Sequence, residues 1–154
     1  MTSELDIEIR AGTEQDWPQT RNLLTCAGLP VADLDSGSMR HFLVASSNSS
    51  PDKALVGAVA LQRFASIGLL RSLVVDSSTR TSGLGTRLLR QLEGRANELG
   101  VTELWLLTID ADAFFATRGY RVVSRAKAPS AIRATPEFSK LCPDSAALMV
   151  KSLG

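Results

Sequence analysis

The run Arg80-Thr81-Ser82-Gly83-Leu84-Gly85 brings together a cation, two hydroxyls and two glycines. Such a run can hold a pyrophosphate if it closes a strand and opens a helix. The first backbone N–H groups of a helix have no carbonyl partners, and the helix dipole adds its positive end there. Gly83 and Gly85 lack the Cβ atoms that would keep a phosphate off the backbone. The flanking sequence meets the condition. Gly68 to Asp76 is a strand-like apolar run, and Leu84, Leu88, Leu89, Leu92, Ala96 and Leu99 recur at helical spacing.

Two familiar phosphate-binding patterns do not fit. A P-loop needs four residues between its glycines and then Lys-Ser/Thr, which Thr86-Arg87 does not supply. A dinucleotide fingerprint needs Gly-x-Gly-x-x-Gly near the chain start, with an acidic residue about 20 positions on. That is absent as well.

Other residues invite chemistry singly. Arg71 is a charge inside an apolar strand, and arginine grips carboxylates in bidentate fashion. It reads either as a substrate anchor or as a cross-strand ion pair on a partly wet face. Arg133 reads as a lid residue or a solvated helix face, and Arg63, at a hairpin end, as solvated. His41, the one histidine, begins a strand and is expected to be structural. Glu137 is a candidate base. Cys26 and Cys142 are too few for a disulfide framework and read as buried ordinary thiols rather than a soft-metal site. Trp17, Trp105 and Phe64 are too scattered for a stacking platform and are assigned to the core.

The elements that must position these residues follow from periodicity and punctuation. A strand is predicted over Leu5–Arg10. A helix follows from the N-cap Thr13 to about Ala27, stopped by Gly28-Leu29-Pro30. A short helical piece near Asp33–Met39 precedes a strand over His41–Ser46. The polar turn Ser46–Asp52 leads into a long hairpin, Ala54–Phe64 and Ile67–Asp76. A helix over Gly83–Leu99, a strand over Val101–Thr108, a short helix over Asp110–Arg118 capped by Gly119, and strands over Tyr120–Arg125 and Ser145–Lys151 complete the chain. Between the last two lies an insert, Ala126–Asp144. Its helix Ser130–Lys140 is interrupted at Pro136, and loops of that length are often functional.

At 154 residues the chain suffices for one domain with a proper core, so a single domain over 1–154 is expected. A net charge of +1 supplies no basic stripe for nucleic acid. The apolar runs are too short to span a bilayer, and the polar start Met1-Thr2-Ser3-Glu4 shows no secretory signal. These features predict a reduced, cytoplasmic protein that binds neither nucleic acid nor membrane.

Arg-x-x-Gly-x-Gly between a strand and a helix resembles the acetyl-CoA signature of the GNAT N-acetyltransferases. Leu106-Leu107-Thr108 followed by Phe114-Phe115-Ala116-Thr117-Arg118-Gly119-Tyr120 fits their second half-motif, and the element order matches throughout. Gly28-Leu29-Pro30, His41-Phe42-Leu43-Val44, Leu70-Arg71-Ser72-Leu73, Ala131-Ile132-Arg133-Ala134-Thr135, Glu137-Phe138 and Leu141-Cys142-Pro143 resemble the small arsenic-resistance N-acetyltransferases. The Leu-Thr and Phe-Phe features and the proline-bearing insert are also similar to the acetyltransferase domain of N-acetylglutamate synthases.

The resemblance implies an α/β (α+β) GNAT fold, a mixed central sheet of about seven strands flanked by helices. It implies acetyl-CoA as co-substrate, no metal, and a small-molecule amine as acceptor. The fourth and fifth strands would part near Val75 and Thr108, with pantetheine in the gap. The backbone of Leu73, Val74 and Val75 would contact pantetheine and the acetyl carbonyl, and Val74 and Val75 would form an oxyanion site. Arg80, Thr81, Ser82, Gly83, Leu84, Gly85 and Thr86 would hold the pyrophosphate, and Phe115 would pack against pantetheine or in the core. Arg71, Ser72 and Arg133 would face the substrate. A homodimer is compatible with the family.

Two departures stand out. Phe115 occupies a position where many relatives carry an acidic tyrosine, and Gly68, Leu69 and Leu70 stand where many carry a glutamate base. A positioned acid or base contributes roughly 10²–10⁴ in rate. Holding amine and thioester together contributes more, on the order of 7–11 kcal/mol. A thiol of pKa near ~8.5 also leaves without an acid. The sequence therefore predicts direct N-acetylation of a glutamate-like amine, with an arsenical or phosphinic amino acid ahead of glutamate itself. A non-catalytic acyl-CoA sensor is the alternative from another class.

Overall fold

Strand β3 (Leu55–Phe64) is buried over seven consecutive residues, and β4 (Ile67–Val75) over five, Gly68 to Ser72. Runs buried on both faces mark interior strands of a sheet covered on each side. Ala65, at φ 57°, takes the left-handed conformation that a two-residue hairpin link requires.

The structure, a computed structural model, describes residues 6–48, 53–77, 83–141 and 145–153. The remaining strands are β1 (Ile7–Ala11), β2 (Phe42–Ser47), β5 (Glu103–Thr108), β6 (Arg121–Val123) and β7 (Ala147–Ser152). The helices are α1 (Trp17–Cys26), α2 (Leu84–Glu98), α3 (Asp112–Ala116) and α4 (Ser130–Arg133). The sheet has seven strands in the order β1-β2-β3-β4-β5-β7-β6. It is mixed: β4 runs parallel to β5, while β1–β2, β2–β3, β5–β7 and β6–β7 are antiparallel. The expected α/β sheet is therefore present, with its strands in the expected order along the chain.

The chain packs as two compact units, 1–61 with 72–94 and 62–71 with 95–154. In the first, Leu24, Met39, Phe42, Val44, Leu55, Ala58, Ala60 and Val74 form the core. Leu84, Leu88, Leu89 and Leu92 of α2 are fully buried, as their spacing predicts. Leu99 departs from that stripe. The helix stops at Glu98, Gly100 turns the chain at φ 87°, and Leu99 is 43% exposed. In the second unit the core is Leu69, Trp105, Ala128, Ile132, Leu148 and Val150, flanked by Phe64, Ile67, Leu107, Val123 and Phe138. Trp105 and Phe64 are thus core residues, as is Trp17 beside the first cluster.

The first helix begins where Thr13 predicts, but as a 3-10 turn over Glu14–Asp16. Thr13 N–H donates to Asp16 Oδ2 at 2.8 Å, and Arg10 donates to both carboxylate oxygens at 2.8 and 2.9 Å. The Arg10 hydrogen bonds hold the Asp16 carboxyl below the usual aspartate range, against the opposing effect of burial and with help from Thr13. The stabilisation is fully present above pH ~4 and is lost as the pH falls through the depressed value. Arg10 is 37% exposed, so solvent screening keeps the ion-pair part small. Asp16→Asn is expected to lower stability by about 1 kcal/mol at neutral pH, the typical weight of a cap. Urea midpoints measured from pH 7 to 3 should converge for the two proteins at the acid end.

Candidate functional site

Gly83 sits at φ 81°, a left-handed conformation suited to glycine, and its carbonyl accepts from Arg87 N–H at 3.1 Å. It thus starts α2, whose first turn carries Leu84, Gly85 and Thr86. Of the run the sequence singled out, Gly83 and Gly85 do stand at a helix N-terminus. Arg80, Thr81 and Ser82 lie outside the described residues.

A second glycine positions that helix. A Cβ built on Gly57 of β3 would lie 2.9 Å from Leu88 Cδ1, 3.1 Å from the Val74 carbonyl and 3.3 Å from Leu84 Cδ2. Only a residue without a side chain lets α2 settle this closely on the strands. Sequence reading missed Gly57. Its signal was a lone glycine inside an apolar strand. Gly57→Val is expected to cost roughly 1–3 kcal/mol by overpacking, read as a lower urea midpoint with an unchanged slope.

Next to this helix contact lies a cavity of about 100 Å³. Its walls are Leu23, Cys26 and Ala27 from the end of α1 and Val74, Val75, Asp76 and Ser77 from the end of β4. Val74 is buried, whereas Leu73 and Val75 are half-buried. Asp76 N–H donates to the Val56 carbonyl at 2.7 Å and ties the strand end to β3. Cys26, expected to be buried, is exposed. Two residues past the buried Leu24, it stands roughly 200° round the helix and so on the opposite face.

Ser72 interrupts β4 with φ 60°, a left-handed conformation in a non-glycine residue. That costs on the order of 1–3 kcal/mol and persists only where surrounding packing dictates it. Ser72 closes the run of five buried residues that starts at Gly68, and burial alternates only from Leu73 on.

In the second unit, β4 pairs with β5 from Ile67–Glu103 to Leu69–Trp105, and among the described residues the ladder ends there. β5 pairs with β7 as far as Thr108–Ala147. The Thr108 hydroxyl accepts from Ala111 N–H at 2.9 Å and supports the start of α3. Phe115 is 5% exposed and packs edge-on to Phe114 and Tyr120, at 5.1 and 5.5 Å between ring centroids. Its position is core.

Arg71 is fully buried, with Nε 3.8 Å from Oε1 of Glu137, whose own side chain is 6% exposed. The ion pair considered from sequence is present. Its partner comes from the insert rather than a neighbouring strand, and the site is dry rather than partly wet. Arg133 is exposed, but its guanidinium donates to the carbonyls of Ala128, at 3.0 Å from Nε, and Ala126. It ties the insert to itself. Arg63 is exposed and donates to the Leu99 carbonyl at 2.8 Å, and His41 ends a 3-10 turn rather than beginning a strand. Among the described residues no group of His, Cys, Asp or Glu is arranged to hold a metal ion, and no helix is long and apolar enough to cross a membrane. Cys142 lies outside the described residues.

The chain is similar to known proteins on both sequence and structure. The model of a family described as acetyltransferase (GNAT) matches residues 7–121. An amino-acid acetyltransferase of Neisseria meningitidis serogroup A is 31% identical over 84 residues, 53% of this chain. This chain spans only 19% of that relative's length. N-acetylglutamate synthase from Neisseria gonorrhoeae, solved with coenzyme A and N-acetyl-glutamate, superposes with a TM-score of 0.82 at 23% identity. The match covers 96% of this chain and 35% of the synthase. Rv2747 from Mycobacterium tuberculosis, solved in complex with CoA, gives a TM-score of 0.77 at 21% identity, covering 94% and 98% of the two chains. At these identities the structural likeness speaks to the fold.

Proposed function

The chain belongs to the acetyltransferase (GNAT) family, and on that premise we propose that it transfers the acetyl group of acetyl-CoA to the amine of a small glutamate-like molecule. The observation that carries the reading is the start of α2. Gly83 in a left-handed conformation and Gly85 without a side chain open a 15-residue helix on bare backbone, which supports reading that end as an anion cradle. Acetyl-CoA, when bound, supplies the acetyl group as an activated thioester.

The chain's own residues do the rest by position. Backbone N–H groups of Gly83, Leu84, Gly85 and Thr86 hold the pyrophosphate, with Arg80, Thr81 and Ser82 preceding them. The backbone of Leu73, Val74 and Val75 lines the acyl end, where Val74 and Val75 steady the carbonyl oxygen as it gains charge. The amine enters by the cavity that Leu23 and Cys26 wall. With Phe115 in the core and Gly68, Leu69 and Leu70 apolar, the amine's proton leaves through water. Arg71 reads the carboxylate of the substrate; Ser72 and Arg133 shape its surroundings. Thr108 acts indirectly, through the start of α3.

Within this class, the insert sequence Ala131–Ser145 favours an arsenical or phosphinic amino acid and a cytoplasmic detoxification role. Similarity to amino-acid acetyltransferases favours an ordinary amino acid instead. A thiol-release assay with acetyl-CoA decides among them, using glutamate, phosphinothricin, arsinothricin, a lysine peptide and a polyamine. Turnover confined to the first three compounds supports the proposal, and their ranking selects the substrate. Turnover of the peptide or polyamine alone overturns it. Acetyl-CoA binding without turnover of any amine replaces it with an acyl-CoA sensor.

A further inference from the structure

At neutral pH an aliphatic amine is mostly an ammonium ion, and its nitrogen attacks a thioester only after losing a proton. The proposed acetylation therefore needs a group that draws in the cation and takes that proton. Neither usual position supplies one, since Phe115 is core and Gly68, Leu69 and Leu70 are apolar. The wall of the cavity does.

We infer that Asp76 is a catalytic residue of this reaction, receiving the ammonium end of the acceptor in the cavity and accepting its proton. The inference rests on the reading, given above, of that cavity as the entrance of the amine. Among the described residues lining the cavity, Asp76 is the one carboxylate, and none is a cation. Leu23, Ala27, Val74 and Val75 make much of the remaining wall apolar. A cation that enters such a space sheds water and gains from a counter-charge. Carboxylates of the acceptor are repelled by the same charge, so a glutamate-like molecule enters amine first.

Position supports the assignment. Asp76 directly follows Val75, so the carboxylate and the backbone proposed to steady the acetyl carbonyl stand on adjacent residues. Its own backbone is fixed by the 2.7 Å bond from its N–H to the Val56 carbonyl, and the residue is half-buried rather than sealed. Asp76 has other interactions within the fold as well. A carboxylate accepts at about four lone-pair sites, so it can serve an ammonium alongside them. The other polar groups of the wall are weaker candidates. The Cys26 thiol is engaged with Asn22 Oδ1 at 3.9 Å, and Ser77 offers a hydroxyl.

The protons balance. Asp76 takes the first from the ammonium and passes it to water. The amine nitrogen then bonds to the acetyl carbonyl carbon, and the C–S electron pair leaves with sulfur. The second proton leaves nitrogen through water and reaches that sulfur, which ends as the CoA thiol. The third stays on the amide. The product nitrogen is uncharged, so its attraction to Asp76 ends with the reaction.

The test uses the full chain, with methylammonium chloride as a probe that needs no turnover. Thermal melts in methylammonium chloride and in sodium chloride are compared at equal ionic strength. Methylammonium is expected to stabilise the unmodified protein, with an apparent Kd that rises at least about tenfold in Asp76→Asn. In the thiol-release assay, Asp76→Asn should lower kcat/KM for glutamate by at least about 10²-fold. Asp76→Glu keeps the charge and should recover both readouts at least in part.

Equal methylammonium responses in Asp76→Asn and the unmodified protein overturn the inference, as does a kcat/KM that Asp76→Asn leaves in place or Asp76→Glu leaves unrecovered. If the unmodified protein acetylates no amine, the proposed function fails, and the methylammonium response alone decides the role of Asp76. Should Asp76→Asn not fold, Ala27→Leu fills the cavity from an exposed position just after α1. It is expected to lose the methylammonium response with Asp76 unchanged, and a retained response overturns the inference.

Discussion

Arg71→Met lowers the stability of the fold by about 3–5 kcal/mol, the usual consequence of stranding one partner of a buried pair. In a chain of this size that corresponds to a fall in Tm of roughly 6–20 °C. The cause is the Glu137 carboxylate, left in a site where its side chain is 6% exposed. Removing it as well, in Arg71→Met/Glu137→Leu, is expected to return most of the loss, because apolar residues of similar volume often replace a buried pair at little cost. Urea unfolding of the two single variants and the double variant yields the coupling energy directly. The double variant also separates structure from chemistry: it should fold nearly as well as the unmodified chain yet fail to acetylate carboxylate-bearing amines. Additive single losses would mean that the two charges do not depend on one another.

The fold was legible where periodicity and punctuation agreed. The α2 stripe from Leu84 to Leu92 followed from its spacing, and Thr13 marked a helix start because its capping partner Asp16 lies three residues on. The long hairpin showed through the length of its apolar runs. Legibility ended where tertiary contacts decide. Leu99 continued the apolar pattern, but Gly100 had already turned the chain. The exposure of Cys26 followed from where α1 presents its buried face, which one helix's composition does not reveal. The strained Ser72 had no signal, since serine carries no mark of a left-handed conformation.

For the candidate site the division is similar. The glycines at the start of α2 were readable as a helix entry because such a turn depends on local geometry and on missing side chains. Arg71 was conspicuous as a charge in an apolar strand, but its partner was not. Glu137 lies far along the chain, after Pro136 in an irregular insert, and no spacing rule links the two. Gly57 was hidden for the same reason, because its neighbours Leu84, Leu88 and Val74 are distant in sequence. A single sequence states what a residue offers; long-range packing states who takes it.

Gly85→Val should move stability and ligand affinity in opposite directions. Glycine within a helix costs roughly 0.5–1 kcal/mol relative to alanine, and valine costs somewhat less than glycine, so the variant is expected to fold at least as well. Its side chain would stand on the first turn of α2, where the proposed pyrophosphate approaches the backbone. Losing two charge-assisted hydrogen bonds, each worth about 1.5–3 kcal/mol, raises the Kd for CoA by at least about 10²-fold. Titration calorimetry with CoA and with pantetheine checks both the size and the cause. Pantetheine carries no pyrophosphate, so its binding should be unaffected by Gly85→Val. A CoA affinity that stays unchanged would remove the α2 N-terminus from the site, whatever else the chain binds. A loss shared equally by pantetheine would point instead to a helix displaced from β3, and Gly57→Val should then reproduce it.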